Sequence, residues 1–400
     1  MKIRGFILAG GYGTRMQVLS DCKFNRFAVA KPALPIGIRS QVRQQLYLLH
    51  LMGIEQAAVA VKFKPESVIE AIGNTSNFTM QVDVFNMNEH QVEDWGAAWT
   101  TYRWFSSLAQ KPDKMVVLNG DILWDKTLAS PFVRAFTSSS ALGQIVGCST
   151  PLEQLFGRFG LIQTDLADSG SVRKIKAFLE KPTADRYRAE MGNIANVGIF
   201  GLDSNVFVRF ANVFGKDFAD FASHLFQRGM VEHDLSLEAY IAPPGFYWRD
   251  IGTPLDLLQA NFDVLNGRID AGPQGTEVKP GVWIGSEVVI PDQVLQSIRG
   301  PMIIADEVEI GRNVQLGPNV IIGRGWKIED HAKISNSILF PSYYETDMVR
   351  LVERGAVVDH CIVAGGTVWG NYQSRNGMLV VAPDLSMAFH GYDFASRIII

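Results

Sequence analysis

The spacing of apolar and polar positions changes character along this chain. Up to about residue 270, short apolar runs alternate with stretches of helical period. Residues 5–9 predict a buried strand, 41–52 a helix with Val42, Leu46 and Leu49 on one face, and 57–61 a strand. Residues 66–72 predict a helix, 80–85 a strand, 97–108 a helix and 115–118 a strand. Such alternation predicts an α/β fold: a Rossmann-like, mostly parallel sheet with helices on both faces, which binds ligands at the carboxyl ends of its strands. Residues 144–202 are richer in strand patterning and predict a subdomain on the sheet's edge. Residues 255–265 predict a closing helix.

The last third has a different period. Ile304, Ile310, Leu316, Ile322, Ile328 and Ile334 recur every six residues, and so do Val308, Val314, Val320, Trp326, Ala332 and Ile338. Gly311, Gly317 and Gly323 follow the first row. Ile284 and Ile290 suggest an earlier coil, and Val357, Val363 and Trp369 repeat the spacing after a break at 341–355. A period of six fits neither helix nor plain strand. It predicts a left-handed parallel β-helix built from hexapeptide repeats, whose coils stack one buried row on the next. Two domains are therefore expected, residues 1–270 and 271–400. Open coil ends need covering, and Ile398-Ile399-Ile400 is an apolar cluster expected to dock on the protein or a partner chain. A homo-oligomer, most simply a dimer, is the expected assembly.

The chain's 400 residues are 47% hydrophobic and 20% charged, a globular composition long enough for two or three domains. It holds no apolar run of membrane-spanning length, and its start is too briefly apolar for a signal peptide. A net charge of −4 argues against a nucleic-acid surface, so a phosphate ligand would be met by a few local cations. The 3 cysteines, Cys22, Cys148 and Cys361, are far apart and form neither a metal pair nor a disulfide framework, which suits a reducing cytoplasm.

Candidate chemistry sits where predicted strands end. The first strand runs into Gly10-Gly11-Tyr12-Gly13-Thr14-Arg15, a loop able to bring backbone N–H groups to phosphates, with Arg15 as a bidentate donor. It completes neither the dinucleotide nor the Walker fingerprint, and a plain tight turn is the competing reading. Lys31-Pro32 follows on a loop, with Lys23 and Arg26 as rivals. Asn119-Gly120-Asp121 ends another strand, where an acid can face the ligand crevice and hold magnesium; a cap or turn role competes. Glu180-Lys181-Pro182 and Trp248-Arg249-Asp250-Ile251-Gly252-Thr253 follow, and Asp250 is either a second metal carboxylate or a helix cap.

Taken in order, these pieces resemble the sugar nucleotidyltransferase family that includes mannose-1-phosphate guanylyltransferases and ADP-glucose pyrophosphorylases. Glu93 with Gly96-Ala97-Ala98, Phe159-Gly160 and Asn196-Val197-Gly198-Ile199-Phe200 complete the series, over about residues 1–270, and a hexapeptide tail is shared as well. The resemblance implies that Gly10, Gly11, Gly13, Thr14 and Arg15 wrap the triphosphate, that Arg15 and Lys31 meet its charge, and that Gly96 lies against the base. It implies Asp121 and Asp250 as magnesium ligands, Gly160, Glu180 and Asn196 on the sugar hydroxyls, and Lys181 on the sugar phosphate. An ionised sugar-phosphate oxygen would attack the α-phosphorus in line and displace pyrophosphate, with no general base and with catalysis by positioning and charge neutralisation.

Val18 stands where the family often has proline, the 17–30 loop looks long, and Ala97 replaces a frequent threonine. Tyr12 and Asn119-Gly120-Asp121-Ile122 resemble the mannose-1-phosphate group, making GTP and mannose 1-phosphate the first substrate reading. Ala30-Lys31-Pro32-Ala33 and Tyr247-Trp248-Arg249-Asp250 resemble the ADP-glucose group. A catalytically dead regulatory homologue and a bifunctional enzyme with acyl transfer in the tail, using His331 or His360, are the other classes. His50 and the tryptophans Trp95, Trp99 and Trp104 read as packing residues.

Overall fold

The computed structural model describes residues 1–20, 29–76, 78–93, 96–165, 167–209, 211–212, 220–233, 235–270, 275–341, 350–368, 371–373, 379–381 and 398–399. Packing divides the chain into two compact units. One comprises Met1–Gly11, Gln45–Pro65 and Asn74–Trp248, the other Tyr12–Gln44, Glu66–Gly73 and Arg249–Ile400.

The first unit is built on one sheet. Its strands are Ile3–Leu8 (β1), Gln56–Val61 (β2), Gln81–Asn86 (β3), Lys114–Asn119 (β4), Gly143–Ser149 (β5), Leu161–Gln163 (β6), Val172–Lys174 (β7), Ala177–Leu179 (β8), Ile194–Asp203 (β9) and Leu237–Ile241 (β10). They lie in the order β7-β10-β5-β9-β4-β1-β2-β3, with β8 on β6 and β6 on β9. The four strands β4-β1-β2-β3 are parallel, as the unbroken apolar runs of β1, β2 and β4 require of strands covered on both faces. A β-carbon at Gly5 would fall 2.6 Å from Leu49, on helix α1 (Gln41–Leu51). Helix α2 follows at Pro65–Ile72, and α3 spans Ala97–Ser107. The next strand residue, Phe6, stacks on Trp104 of α3 at 4.4 Å. Adjacent strand residues face opposite ways, so helices do cover both faces.

The strand-rich segment corrects one expectation. It is not a subdomain standing on the sheet's edge: β9 pairs antiparallel with β4 and β5, and β10 parallel with β5, so the same sheet simply continues. Main-chain groups left open at β4 are met by β9, and only β6 and β8 branch away.

In the second unit, the last third forms three parallel sheets. The largest runs through Val282–Ile284, Met302–Ile304, Val320–Ile322, Ser337–Leu339, Cys361–Val363, Leu379–Val381 and Ile398–Ile399, with Thr276–Lys279 antiparallel at its start. The others are Glu309–Ile310, Lys327–Ile328, Arg350–Val352, Gly366–Val368 and Gln315–Leu316, Lys333–Ser335, Val357–Asp359, Asn371–Gln373. Ile304 pairs with Ile322, Ile310 with Ile328 and Leu316 with Ile334, so the six-residue row visits the three sheets in turn. Positive φ at Glu307, Asn313, Asn319, Gly325 and His331 marks the corners at the same spacing.

That spacing then shortens. The next corner is Asn336, five residues after His331, and Ser337 rather than Ile338 pairs with Val320. Ile338 therefore leaves the expected second row and pairs with Ile321 and Ile362, all at most 1% exposed. After the break, Val358 continues the first row on Ile334, Val363 stacks on Leu339, and Val357 is only half-buried. Trp369 lies outside the described residues. Ile398–Ile399 pairs with Val380–Val381 as the last strand of the largest sheet, and Ile400 lies outside the described residues.

Helix α4, Pro254–Leu265, closes this unit. Thr253 caps it, with Asp256 returning the bond to Thr253's N–H, a reciprocal box that displaces Asp250 from any capping role. The helix lies against both Pro35–Ile36 and Ser337–Leu339.

Candidate functional site

In the first unit, chain direction gathers one set of predicted residues. Leu8 and Asn119 are register partners at the carboxyl ends of parallel β1 and β4, so Gly10-Gly11 and Gly120-Asp121 leave the sheet on the same edge. Gly120 donates its N–H to Leu8 O at 2.9 Å, and a β-carbon there would sit 2.5 Å from that oxygen. Asp121 occupies the turn before Ile122–Trp124 and is half-buried, not a helix cap. Gly120→Ala must push the two strand ends apart. Overpacking of this kind costs about 1–3 kcal/mol, so urea unfolding should show a lower midpoint and turnover should fall with Asp121 displaced. An unchanged midpoint and turnover would mean the strand ends yield freely.

Antiparallel β9 brings its start to the same edge, where Ile199 is opposite Leu118 and a β-carbon on Gly198 would meet Asn119 at 2.6 Å. Asn196 Oδ1 accepts the Gly198 N–H at 2.9 Å, and Asn196 donates its own N–H to Gly160 O at 2.8 Å. Beside Gly160 stand the Phe178 ring and Glu180 Oε2, 3.1 Å from where a β-carbon would be. Gly160, Glu180 and Asn196 are thus one cluster. Lys181 Nζ lies 3.5 Å from Glu180 Oε1 and its own side chain is 57% exposed. Loss of hydration pushes the Glu180 carboxyl above its ordinary value; Lys181 pulls it back and the Asp220 charge pushes it up again. Gly96 precedes α3 with φ 149° and ψ 179°, a conformation essentially reserved for glycine. Glu93 is exposed.

The second unit gathers the other predicted set. Gly13 has positive φ and lies against Lys31, whose residue is only 7% exposed. Thr14 and Arg15 open a single turn, Thr14–Met16. Arg15 Nη2 approaches Asp250 Oδ2 at 3.8 Å, and its guanidinium covers Gly252. Lys23 and Arg26 lie outside the described residues.

Two residues that patterning passed over hold this second set. Asn261, fully buried on α4, accepts the Gly37 N–H at 2.8 Å and donates to Pro35 O at 3.0 Å. Asp263, 1% exposed, receives Arg249 Nη2 at 2.8 Å and Arg268 Nη1 at 3.3 Å. A polar residue inside the helix's apolar stripe of Leu257, Leu258, Val264 and Leu265 is the signal that marks Asn261.

The competing residues find partners elsewhere. His50 Nδ1 meets Thr79 Oγ1 at 3.3 Å, and Trp104 is 5% exposed in the core. Trp95 lies outside the described residues. His331 and His360 both sit at corners, and His360 Nδ1 contacts Asp359 Oδ2 at 2.9 Å. Ser335 Oγ spends its proton on Asp359, at 2.6 Å, rather than on that histidine. Cys148 and Cys361 are buried thiols outside any disulfide, Cys361 pushed up to about 12 by burial.

Among the described residues, no three or more His, Cys, Asp or Glu side chains group to hold a metal ion. Magnesium does not need such a cage. It is commonly held by one or two carboxylates with phosphate oxygens and water, and the carboxylates of Asp121 in the first unit and of Asp250 in the second are each a hard oxygen donor of the kind it takes. The Asp250 side chain is 16% exposed and has the Arg15 guanidinium beside it. No described helix is long and apolar enough to cross a membrane.

The chain is similar to known proteins over most of its length. The family model described as Nucleotidyl transferase matches residues 4–267, and that described as GMPPB C-terminal domain matches residues 298–388. A UTP–glucose-1-phosphate uridylyltransferase of Synechocystis sp. is 27% identical, covering 90% of this chain and 88% of that protein. A mannose-1-phosphate guanylyltransferase of Mycobacterium tuberculosis is 24% identical over 90% and 83% of the two chains. A glucose-1-phosphate adenylyltransferase of Clostridioides difficile is 25% identical over 84% and 86%. Among solved structures, a UDP-glucose pyrophosphorylase with UDP-glucose superposes with a TM-score of 0.52 at 16% identity, over 67% of this chain and 100% of that one. At that identity the likeness is one of fold.

Proposed function

The chain belongs to the nucleotidyl transferase family, and from that premise we propose that it is a sugar-1-phosphate nucleotidyltransferase, joining a nucleoside triphosphate to a sugar 1-phosphate and releasing pyrophosphate. The observation that carries the reading is that every charged group of the motif series is retained, with Arg15 on Asp250 and Gly160 clustered with Glu180 and Asn196. That retention also weighs against a catalytically dead homologue. The catalytic segment in this proposal is residues 1–270.

In this proposal Gly10, Gly11, Gly13 and Thr14 offer main-chain N–H groups to the triphosphate, and Arg15 and Lys31 neutralise it. Gly96 lies under the base. Glu180 and Asn196 accept and orient sugar hydroxyls, and Lys181 meets the sugar phosphate. Asp121 and Asp250 would hold magnesium, which when bound supplies charge neutralisation between the two anions. The phosphate oxygen of the sugar forms a bond to the α-phosphorus as the α–β phosphoanhydride bond breaks, and pyrophosphate carries off the electron pair.

GTP with mannose 1-phosphate is the substrate reading we favour, supported by the GMPPB C-terminal domain match and by Tyr12 and Asn119-Gly120-Asp121-Ile122. ATP with glucose 1-phosphate is the second, supported by Ala30-Lys31-Pro32-Ala33 and Tyr247-Trp248-Arg249-Asp250. Pyrophosphate release measured across four nucleoside triphosphates and several sugar 1-phosphates tests both. The fastest pair names the substrates, and no release from any pair overturns the reading. Lys181→Ala should raise the KM for sugar phosphate by about tenfold or more, the scale of one charge-assisted contact, with the nucleotide KM nearly unchanged. Equal rises would put Lys181 on the wrong substrate.

For the tail we propose a left-handed parallel β-helix over about residues 281–370 that serves assembly, not acyl transfer. The stacked registers and the corners spaced by six from Glu307 to His331 support it. A homo-oligomer in the cytoplasm, most simply a dimer, is the expected state, and a monomer at micromolar concentration by light scattering would overturn it.

A further inference from the structure

Arg249 and Asp250 are neighbours on one short strand, Trp248–Asp250, so their side chains leave it on opposite sides. Whatever fixes Arg249 therefore fixes the peptide that presents Asp250. Arg249 is fixed by Asp263 of α4: Nε and Nη2 both donate to Oδ2, at 3.1 and 2.8 Å. The other carboxylate oxygen, Oδ1, accepts from Gln259 Nε2 at 3.2 Å and Arg268 Nη1 at 3.3 Å. A carboxylate at 1% exposure is held in place by such donors and loses heavily if one is removed. The helix that carries it is itself anchored, at its start by the Thr253–Asp256 box and in its middle by Asn261 on Pro35 and Gly37.

We infer that Asp263 is a positioning residue of the transfer site: through Arg249 it sets the direction of Asp250 toward Arg15. The inference rests on the nucleotidyltransferase reading and adds a residue to it. Arg249 makes its two bonds with the fixed geometry of a guanidinium, which a lysine cannot reproduce.

The test uses the full-length chain. Asp263→Asn keeps the side-chain shape and removes the charge. It should lower kcat by about tenfold to a hundredfold, as loss of an outer support typically does, and leave the KM for sugar phosphate nearly unchanged. Asp263→Glu should recover part of kcat, and Arg249→Lys should reproduce the loss. Should Asp263→Asn fail to fold, Arg249→Lys, which keeps the charge pair, carries the same comparison. Backbone hydrogen exchange at residues 249–252 reads the clamp without turnover, and it should quicken in the variant. Wild-type kcat or unchanged exchange in a folded variant overturns the clamp and leaves the functional reading standing. A wild-type chain that transfers nothing in any substrate pair overturns both.

Discussion

Asp250→Asn, and separately Asp121→Asn, should lower turnover by about 10²–10³ while the protein stays folded, the usual cost of removing one electrostatic stabiliser from a reacting site. Magnitudes separate the two effects. Asp250 faces Arg15 at 3.8 Å, and the Arg15 side chain is 62% exposed. An ion pair that open to water is worth at most about 1 kcal/mol to the fold. The rate loss, at about 1.4 kcal/mol per factor of ten, is about three to four times larger. Asparagine also keeps the shape, so Thr253 and Asp256 still start α4. The check is steady-state kinetics beside urea unfolding on each variant. A folded Asp250→Asn protein with wild-type turnover would remove it from the site, and the same holds for Asp121.

Much of this was legible in the sequence because it depends on period or on chain direction. Parallel strands covered on both faces leave long apolar runs, and a loop that follows such a strand must leave at the carboxyl edge, which puts Gly10-Gly11 and Gly120-Asp121 on one edge. The six-residue rows were equally plain, up to the point where one corner lost a residue. Ile338 looks right at a spacing of six, and only the positive φ of Asn336 reveals that the corner came early. Patterning reads an average period and cannot see a single deletion whose neighbours are all apolar. The strand-rich segment failed for another reason: which edge a strand joins is a long-range choice among open main-chain groups, and nothing local to β9 records it. Asp263 was missed because an acid on a helix usually faces water. Its burial follows from Arg249 and Arg268, which lie 14 and 5 residues away.

Truncation after residue 270 should cost far more than assembly. The packing unit that holds Lys31, Arg15 and Asp250 also holds the stacked sheets. Helix α4 lies against Ser337–Leu339, and α4 is what grips Pro35, Gly37 and Arg249. Removing the sheets exposes one side of that helix. Leu257, Leu258, Val264 and Leu265 are each at most 8% exposed in the intact chain. A fully buried leucine or valine is worth about 1.5–3 kcal/mol, so uncovering even two of them consumes a large part of the 5–15 kcal/mol that holds a typical domain. The truncated chain, with every proposed catalytic residue present, should therefore lose turnover by about a hundredfold or more, the scale set by a misplaced site rather than a missing one. A gentler variant in the full chain separates the causes. Trp326 is 1% exposed inside the stack and its Nε1–H donates to Phe340 O at 2.8 Å. Trp326→Ala should cost about 3–5 kcal/mol, and if the stack and α4 unfold together, hydrogen exchange should rise over residues 29–44 as well as over the sheets. Exchange confined to the sheets, with a truncated chain that keeps wild-type turnover, would show that the tail stands apart from the chemistry.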